Sequence, residues 1–120
     1  MSAFVYVLIS VLILTFAVWG YLYYSRHYLH HKQQEFYSNG NVKRKYFLFN
    51  GVKDGQETIF YPTGEVNKTM IWQSGILTGP FIVFFKSGQK YISGDMENGA
   101  YVGVYEVYDT DGQVIMKREF

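Results

Sequence analysis

The chain is expected to be all-β, an antiparallel meander of repeated β-hairpins in a single twisted sheet of period 24, preceded by one transmembrane α-helix. Three observations predict this: a lattice of glycines, an aromatic residue in step with it, and an uncharged opening run. Gly40, Gly64, Gly88 and Gly112 stand 24 residues apart, as do Gly51, Gly75 and Gly99, and Gly55, Gly79 and Gly103. A fixed period of this size is the mark of a repeat architecture. Phe36, Phe60, Phe84 and Tyr108 each precede the first kind of glycine by four residues.

The opening run comes first in the chain. Ala3 to Tyr24 contains no charge, and only Ser10, Thr15 and Gly20 interrupt its apolar and aromatic residues. At 1.5 Å per residue it reaches about 33 Å, enough to cross a hydrocarbon core. Trp19, Tyr21, Tyr23, Tyr24 and Tyr28 gather at its far end, where amphipathic rings favour the membrane interface. A cleaved signal peptide is the competing reading, but that would carry a cationic start and a shorter apolar stretch. The expected division is therefore a transmembrane helix over 1–24, a juxtamembrane segment over 25–34 and a repeat domain over 35–120.

Charge is uneven along the chain, although it sums to only +1. Arg26, Lys32, Lys43, Arg44, Lys45 and Lys53 follow the helix with Glu35 as the one acid among them, while residues 54–120 carry more acidic than basic groups. Basic residues flanking a span favour the cytoplasmic side. The expectation is a single-pass inner (cell) membrane protein with its C-terminal domain in the cytoplasm. Arg26, Lys32, Lys43, Arg44 and Lys45 form a basic collar suited to anionic lipid head groups.

In the repeat domain, Asn39-Gly40, Thr63-Gly64, Ser87-Gly88 and Asp111-Gly112 stand between apolar-rich runs and signal hairpins. The second glycine set, Asn50-Gly51 with Gly55 four residues on, reads as a slightly longer turn at the other end of each unit. Each unit is then two strands, written four times, with the fourth copy shortened. Counting in twos places Phe60, Phe84 and Tyr108 on one face with Val66, Val114, Ile92, Met116, Trp72, Met96 and Phe120. Ile59, Val83 and Val107 fall on the opposite face, among Glu65, Gln89, Gln113, Thr69, Ser93 and Lys117. A single layer leaves the first face to be covered by its own curling, by another protein, by another copy or by a membrane. Phe60, Trp72, Phe84, Met96 and Tyr108 are the candidate partner-binding residues.

Chemical motifs are few. The chain has no cysteine, which removes disulfides, thiolate metal sites and lipidated-cysteine anchors. His27, His30 and His31 would share one side if the helix continued through them, yet no further histidine completes a metal shell. Asp109-Thr110-Asp111-Gly112 has the start of a calcium loop without its later ligands, and its lattice position makes it a hairpin turn. Lys43-Arg44-Lys45 is too short a basic run for a nucleic-acid interface. Asn67-Lys68-Thr69 matches a glycosylation acceptor inside an expected strand. The repeat domain has no histidine, phosphate loop or nucleophile elbow, so no catalytic, cofactor or metal residue is assigned.

Tyr37-Ser38-Asn39-Gly40, Asn50-Gly51-Val52-Lys53-Asp54-Gly55 and Phe60-Tyr61-Pro62-Thr63-Gly64 resemble the MORN-type repeat as it occurs in bacterial proteins of the YwqK-like antitoxin family. Gly94-Asp95-Met96-Glu97-Asn98-Gly99, followed by Gly103, is similar to the general MORN pattern, although Met70 and Tyr46 replace Gly94 in earlier units. The resemblance implies a non-enzymatic binding module. A membrane-anchored scaffold that binds a protein partner, as an accessory subunit of a membrane complex, is the leading expectation. A toxin-neutralising antitoxin or immunity protein is the alternative, and a lipid-binding module a further one. Homo-oligomers are compatible with all three.

Overall fold

The computed structural model describes residues 2–120; Met1, part of the expected span 1–24, lies outside them. Among the described residues one helix, α1 (Ala3–Tyr28), precedes nine strands. α1 is apolar on all sides, so no face selects a packing partner within the chain. Its side chains are all at least partly exposed, and none is buried. Ser10, Thr15 and Ser25 donate to the carbonyls of Val7, Leu12 and Leu22 at 2.8, 2.7 and 3.1 Å. The helix thereby satisfies its own hydroxyls, as an apolar surrounding requires. It ends after Tyr28, where Leu29 turns extended. The expected juxtamembrane segment divides between the last helical turn, with Arg26 and His27, and the first strand, which begins at His31.

The strands are β1 (His31–Phe36), β2 (Val42–Phe49), β3 (Val52–Lys53), β4 (Gly55–Phe60), β5 (Val66–Gln73), β6 (Ile76–Phe84), β7 (Lys90–Glu97), β8 (Ala100–Tyr108) and β9 (Val114–Glu119). They form one antiparallel sheet in the order β1-β2-β4-β5-β6-β7-β8-β9, with β3 beside β2. The expected meander is the observed topology.

Two kinds of turn alternate. At one end of each unit a five-residue loop is closed twice, as where the Tyr61 N–H donates to the Glu65 carbonyl at 2.8 Å and the Gly64 N–H to the Tyr61 carbonyl at 2.9 Å. The loops at Tyr37–Asn41, Phe85–Gln89 and Asp109–Gln113 repeat this pattern. At the other end Asn50-Gly51, Ser74-Gly75 and Asn98-Gly99 have positive φ at both residues, which makes them two-residue type I′ turns. The longer turn expected there is therefore two separate features. Gly55, Gly79 and Gly103 lie beyond the turn, with φ of 103°, 67° and 65°, and act as kinks in the returning strand. In the first unit the kink separates β3 from β4; in later units β6 and β8 run through it.

Neighbouring units are also tied to each other. The Gly75 N–H donates to the Lys53 carbonyl at 2.8 Å and the Gly99 N–H to the Leu77 carbonyl at 3.1 Å. At the opposite end Tyr37 and Tyr61 donate their hydroxyls to the carbonyls of Phe60 and Phe84 at 2.7 and 2.6 Å. These bonds join each turn to the next one along the sheet, so the glycine lattice is also a lattice of inter-unit straps.

Candidate functional site

Strand pairing fixes which residues share a face, because directly opposed residues in an antiparallel pair point the same way. Glu57 opposes Met70, Gly55 opposes Trp72 and Ile59 opposes Lys68. Lys68 opposes Val83, Val83 opposes Ile92, Gly79 opposes Met96, and Ile92 opposes Val107. One face, called A here, thus contains Arg44, Glu57, Ile59, Met70, Trp72, Val83, Ile92, Met96, Val107 and Met116. The other, face B, contains Lys45, Thr58, Thr69, Ile82, Ser93 and Glu106. Phe60, Phe84 and Tyr108 lie on face B: Lys45 stands over the Phe60 ring at 5.4 Å, and the Tyr108 hydroxyl is 3.1 Å from Ser93 Oγ.

The single aromatic ladder expected from the sequence is therefore two. Phe60, Phe84 and Tyr108 belong to face B; Trp72, Met96, Ile92, Met116 and Phe120 belong to face A with Ile59, Val83 and Val107. The cause is a β-bulge in every unit. Phe60 opposes Val66 but Ile59 opposes Lys68, which leaves Asn67 as an extra residue, and the same shift occurs at Lys43, Tyr91 and Ile115. One inserted residue moves everything after it to the other side.

Face A is where the sheet covers itself. The buried residues among those described, Glu57, Met70, Gly94, Met96 and Val107, all lie on it. At the distal end the rings of Phe81, Tyr101, Tyr105 and Phe120 interlock, with centroid separations from 4.9 to 6.3 Å. Tyr101 lies flat over Gly94, where an added Cβ would meet its ring carbons at 3.0 Å. Burial and then the neighbouring Tyr105 push the Tyr101 hydroxyl above its ordinary pKa.

Near the helix the same lattice positions are charged. Glu57 occupies the place of Phe81 and Tyr105, Lys53 that of Leu77 and Tyr101, and Arg44 that of Ile92 and Met116. Glu57 is 1% exposed. Its carboxylate accepts from Lys53 Nζ at 2.8 Å and from Trp72 Nε1 at 2.6 Å, with Arg44 Nη1 at 3.6 Å. Lys53 Nζ also stands 5.0 and 4.9 Å from the rings of Tyr46 and Trp72. Arg44 bridges to Glu35, its Nε 3.5 Å from Glu35 Oε2 and without a hydrogen bond. A buried carboxylate persists only when several donors replace its lost water, and this cluster supplies them. Sequence reading missed Glu57 because a strand glutamate ordinarily marks a solvated face. The signal was its alignment in an apolar column beside a simultaneous Leu-to-Lys exchange.

The proposed site residues are thus distributed. Trp72 and Met96 are built into face A; Phe60, Phe84 and Tyr108 lie half-buried on face B. Of the basic collar, Arg26 is in the last turn of α1, Lys32 opposes Phe47 on face B with Lys45, Lys43 is the bulge residue over the Tyr37 ring at 5.9 Å, and Arg44 turns to face A. The three histidines separate. His27 meets the Tyr23 carbonyl, His30 stacks on Phe49 and lies 3.7 Å from Asp54, and His31 meets the Ser25 carbonyl. Among the described residues no group of histidines and carboxylates converges as a metal shell. The Asp109 carboxylate accepts from the Asp111 and Gln113 N–H groups, closing its own turn. At the matching turn of the second unit Glu65 is held below its usual carboxylate range by the Thr63 hydroxyl, then by its own backbone N–H, with Lys86 adding charge.

The described helix is long and apolar enough to cross a membrane, a test that a signal sequence also passes. Searches of curated proteins and of solved structures found no match. Residues 29–50 match the MORN repeat variant. That stretch is β1, its five-residue loop and β2, and the same two-strand unit recurs at 53–74, 77–98 and 101–120. The family match to one unit and the lattice that repeats it together support a MORN-type repeat protein.

Proposed function

We propose that the protein is a membrane-anchored scaffold whose sheet binds a protein partner at the membrane, as an accessory subunit of a membrane complex. The observation that carries this reading is an uncovered apolar helix, Ala3–Tyr28, joined by only Leu29 and His30 to a one-layer MORN-type sheet. A helix of this length spans about 39 Å. It has no burial site within the chain, and a bilayer supplies one.

Face B is the partner-binding face. Face A spends Trp72 and Met96 on internal packing, whereas Phe60, Phe84 and Tyr108 lie in a row on face B at equivalent places in successive units. The basic residues that follow α1 orient the sheet towards the cytoplasm of a bacterial cell, by the bias of flanking Lys and Arg. Lys32 and Lys45, on face B beside the helix, are placed to meet lipid head groups while the distal rows meet the partner. A MORN-type binding sheet has no need of catalytic machinery, and the reading includes none.

The test is recovery of the tagged full chain from native membranes in mild detergent, with wild type beside Phe84→Ala and Trp72→Ala. Phe84→Ala is expected to lose the co-purifying protein with little loss of sheet stability. Trp72→Ala should instead destabilise the sheet. Retention of the same protein by Phe84→Ala, Phe60→Ala and Tyr108→Ala alike would remove face B from the interface. A recovered protein that arrests growth when expressed alone, and is neutralised by this chain, would replace the accessory-subunit reading with the antitoxin one.

A further inference from the structure

The turn between β2 and β3 departs from the matching turns that follow it. Gly75 and Gly99 each donate their N–H to a carbonyl of the preceding unit, Lys53 and Leu77. One period before Lys53 stands Leu29, where α1 ends. No such bond reaches Leu29, and among the described residues the Gly51 N–H has no acceptor. Instead a cleft of about 390 Å³ opens between helix and sheet, lined by Arg26 and His27 of the last helical turn and by Asn50 and Gly51.

The side chains around this cleft are mostly donors. No carboxylate lines it, and Arg26 has no ion pair among the described residues. The His27 ring is held by its stack on Tyr23 at 4.2 Å and by Nδ1–H, which donates to the Tyr23 carbonyl at 2.9 Å, since a carbonyl only accepts. Nε2 is left for a ligand, and the imidazolium form donates through it. The Asn50 amide adds a further donor. A second cleft of about 250 Å³ adjoins the first: it shares Arg26 and His27 and is completed by Trp19, Leu22 and Tyr23 of the uncharged run. Arg26 lies two residues past that run, about 3 Å along the helix axis. The polar cleft therefore falls at head-group depth and the apolar one among acyl chains.

We propose that the paired clefts hold one anionic phospholipid, its phosphate among Arg26, His27, Asn50 and the Gly51 N–H and an acyl chain along Trp19, Leu22 and Tyr23. The site rests on the reading of α1 as a membrane span. A phosphate oxygen at Gly51 does there what the Lys53 and Leu77 carbonyls do for Gly75 and Gly99, and charge-assisted bonds from Arg26 hold it. The negative end of a helix disfavours an anion. Here the Arg26 guanidinium offsets that end, and the Ser25 carbonyl in the last turn already accepts from His31 at 2.8 Å. A zwitterionic lipid fits less well, because no carboxylate in the cleft meets its ammonium. The lipid bridges helix and sheet across the joint at Leu29 and His30, and so fixes how the sheet stands on the membrane.

Native mass spectrometry of the full chain released from detergent micelles tests this, with dioleoylphosphatidylglycerol and dioleoylphosphatidylcholine as equimolar probes. The wild-type chain is expected to retain one phosphatidylglycerol, severalfold above phosphatidylcholine. Arg26→Gln should lower that retention about tenfold, as loss of a bond to a charged group does. Asn50→Gly, which keeps a residue suited to positive φ, should lower it severalfold. Lys86→Gln, the same charge change on a distant loop, should leave it unaltered. Trp19→Ala should weaken retention of the lipid, and excess inorganic phosphate should not displace it, which separates a lipid from a free phosphate. Equal retention of both lipids, equal losses in Lys86→Gln and Arg26→Gln, or displacement by inorganic phosphate would each overturn the proposal. Alkaline washing of native membranes keeps the site apart from the span: a chain that stays bound yet shows no lipid preference overturns the site alone, whereas a chain that washes off overturns both.

Discussion

Glu57 shows how one residue can be invisible in sequence and central in structure. A carboxylate with 1% exposure in a one-layer sheet is tolerable only because Lys53, Arg44 and Trp72 meet it. Removing one member of such a set leaves the others buried without their partner, at a cost of about 3–5 kcal/mol. Glu57→Ala is therefore expected to lower unfolding free energy by about that amount, measured by urea denaturation of the full chain in detergent. The triple exchange Lys53→Leu/Glu57→Phe/Trp72→Met imports the set found at Leu77, Phe81 and Met96, leaves no indole N–H without its acceptor, and should be neutral or stabilising, since well-packed apolar replacements often match a buried ion pair. A loss as large as that of Glu57→Ala would mean that the charges hold more than one another. The tyrosine straps act on a smaller scale. Tyr61→Phe deletes the hydroxyl that binds the Phe84 carbonyl and should cost about 1 kcal/mol by the same measurement, the usual value of one net hydrogen bond.

At the scale of the element, the hairpins were legible because turns constrain sequence strongly. Asn-Gly, Ser-Gly and the five-residue loops use residues that accept positive φ, and the glycines mark each unit's two ends. The faces were not legible, because Lys43, Asn67, Tyr91 and Ile115 occupy bulges with no glycine or proline to announce them. Period-two counting from Phe60 through the turn to Trp72 passes over such a residue and arrives on the wrong side. Gly94 belongs to the same lesson. Its φ is ordinary, so the reason for glycine there is the Tyr101 ring, absent from the local pattern. Gly94→Ala should force the ring aside and cost about 1–3 kcal/mol, as overpacking does, with a lowered midpoint in thermal unfolding followed by tyrosine fluorescence. Gly40→Ala meets no atom within 4 Å, so its cost should come from backbone strain alone.

The whole molecule measures 81 × 36 × 17 Å, an elongated body with the thickness of one sheet and its side chains. Its charge also follows that length. Lys32 and Lys45 stand on face B beside the helix, and Asp95, Glu97 and Glu106 share that face farther along. Anionic lipid near the anchor would favour the first set and repel the second, so the distal rows of face B are expected to point away from the bilayer. Removing residues 1–30 should release the sheet from membranes at physiological salt, measured by fractionation, because two lysines supply only about 2 kcal/mol of surface attraction.

Photocross-linking in native membranes tests the scaffold reading most directly. A photoreactive residue placed at Phe84 in the full chain should yield one discrete adduct with a second membrane-complex protein, while the same residue at Met96 on face A should yield none. The chain lacking residues 1–30 should lose that adduct. Equal adducts from both faces, or a Phe84 adduct that survives loss of the helix, would contradict a partner bound to face B at the membrane.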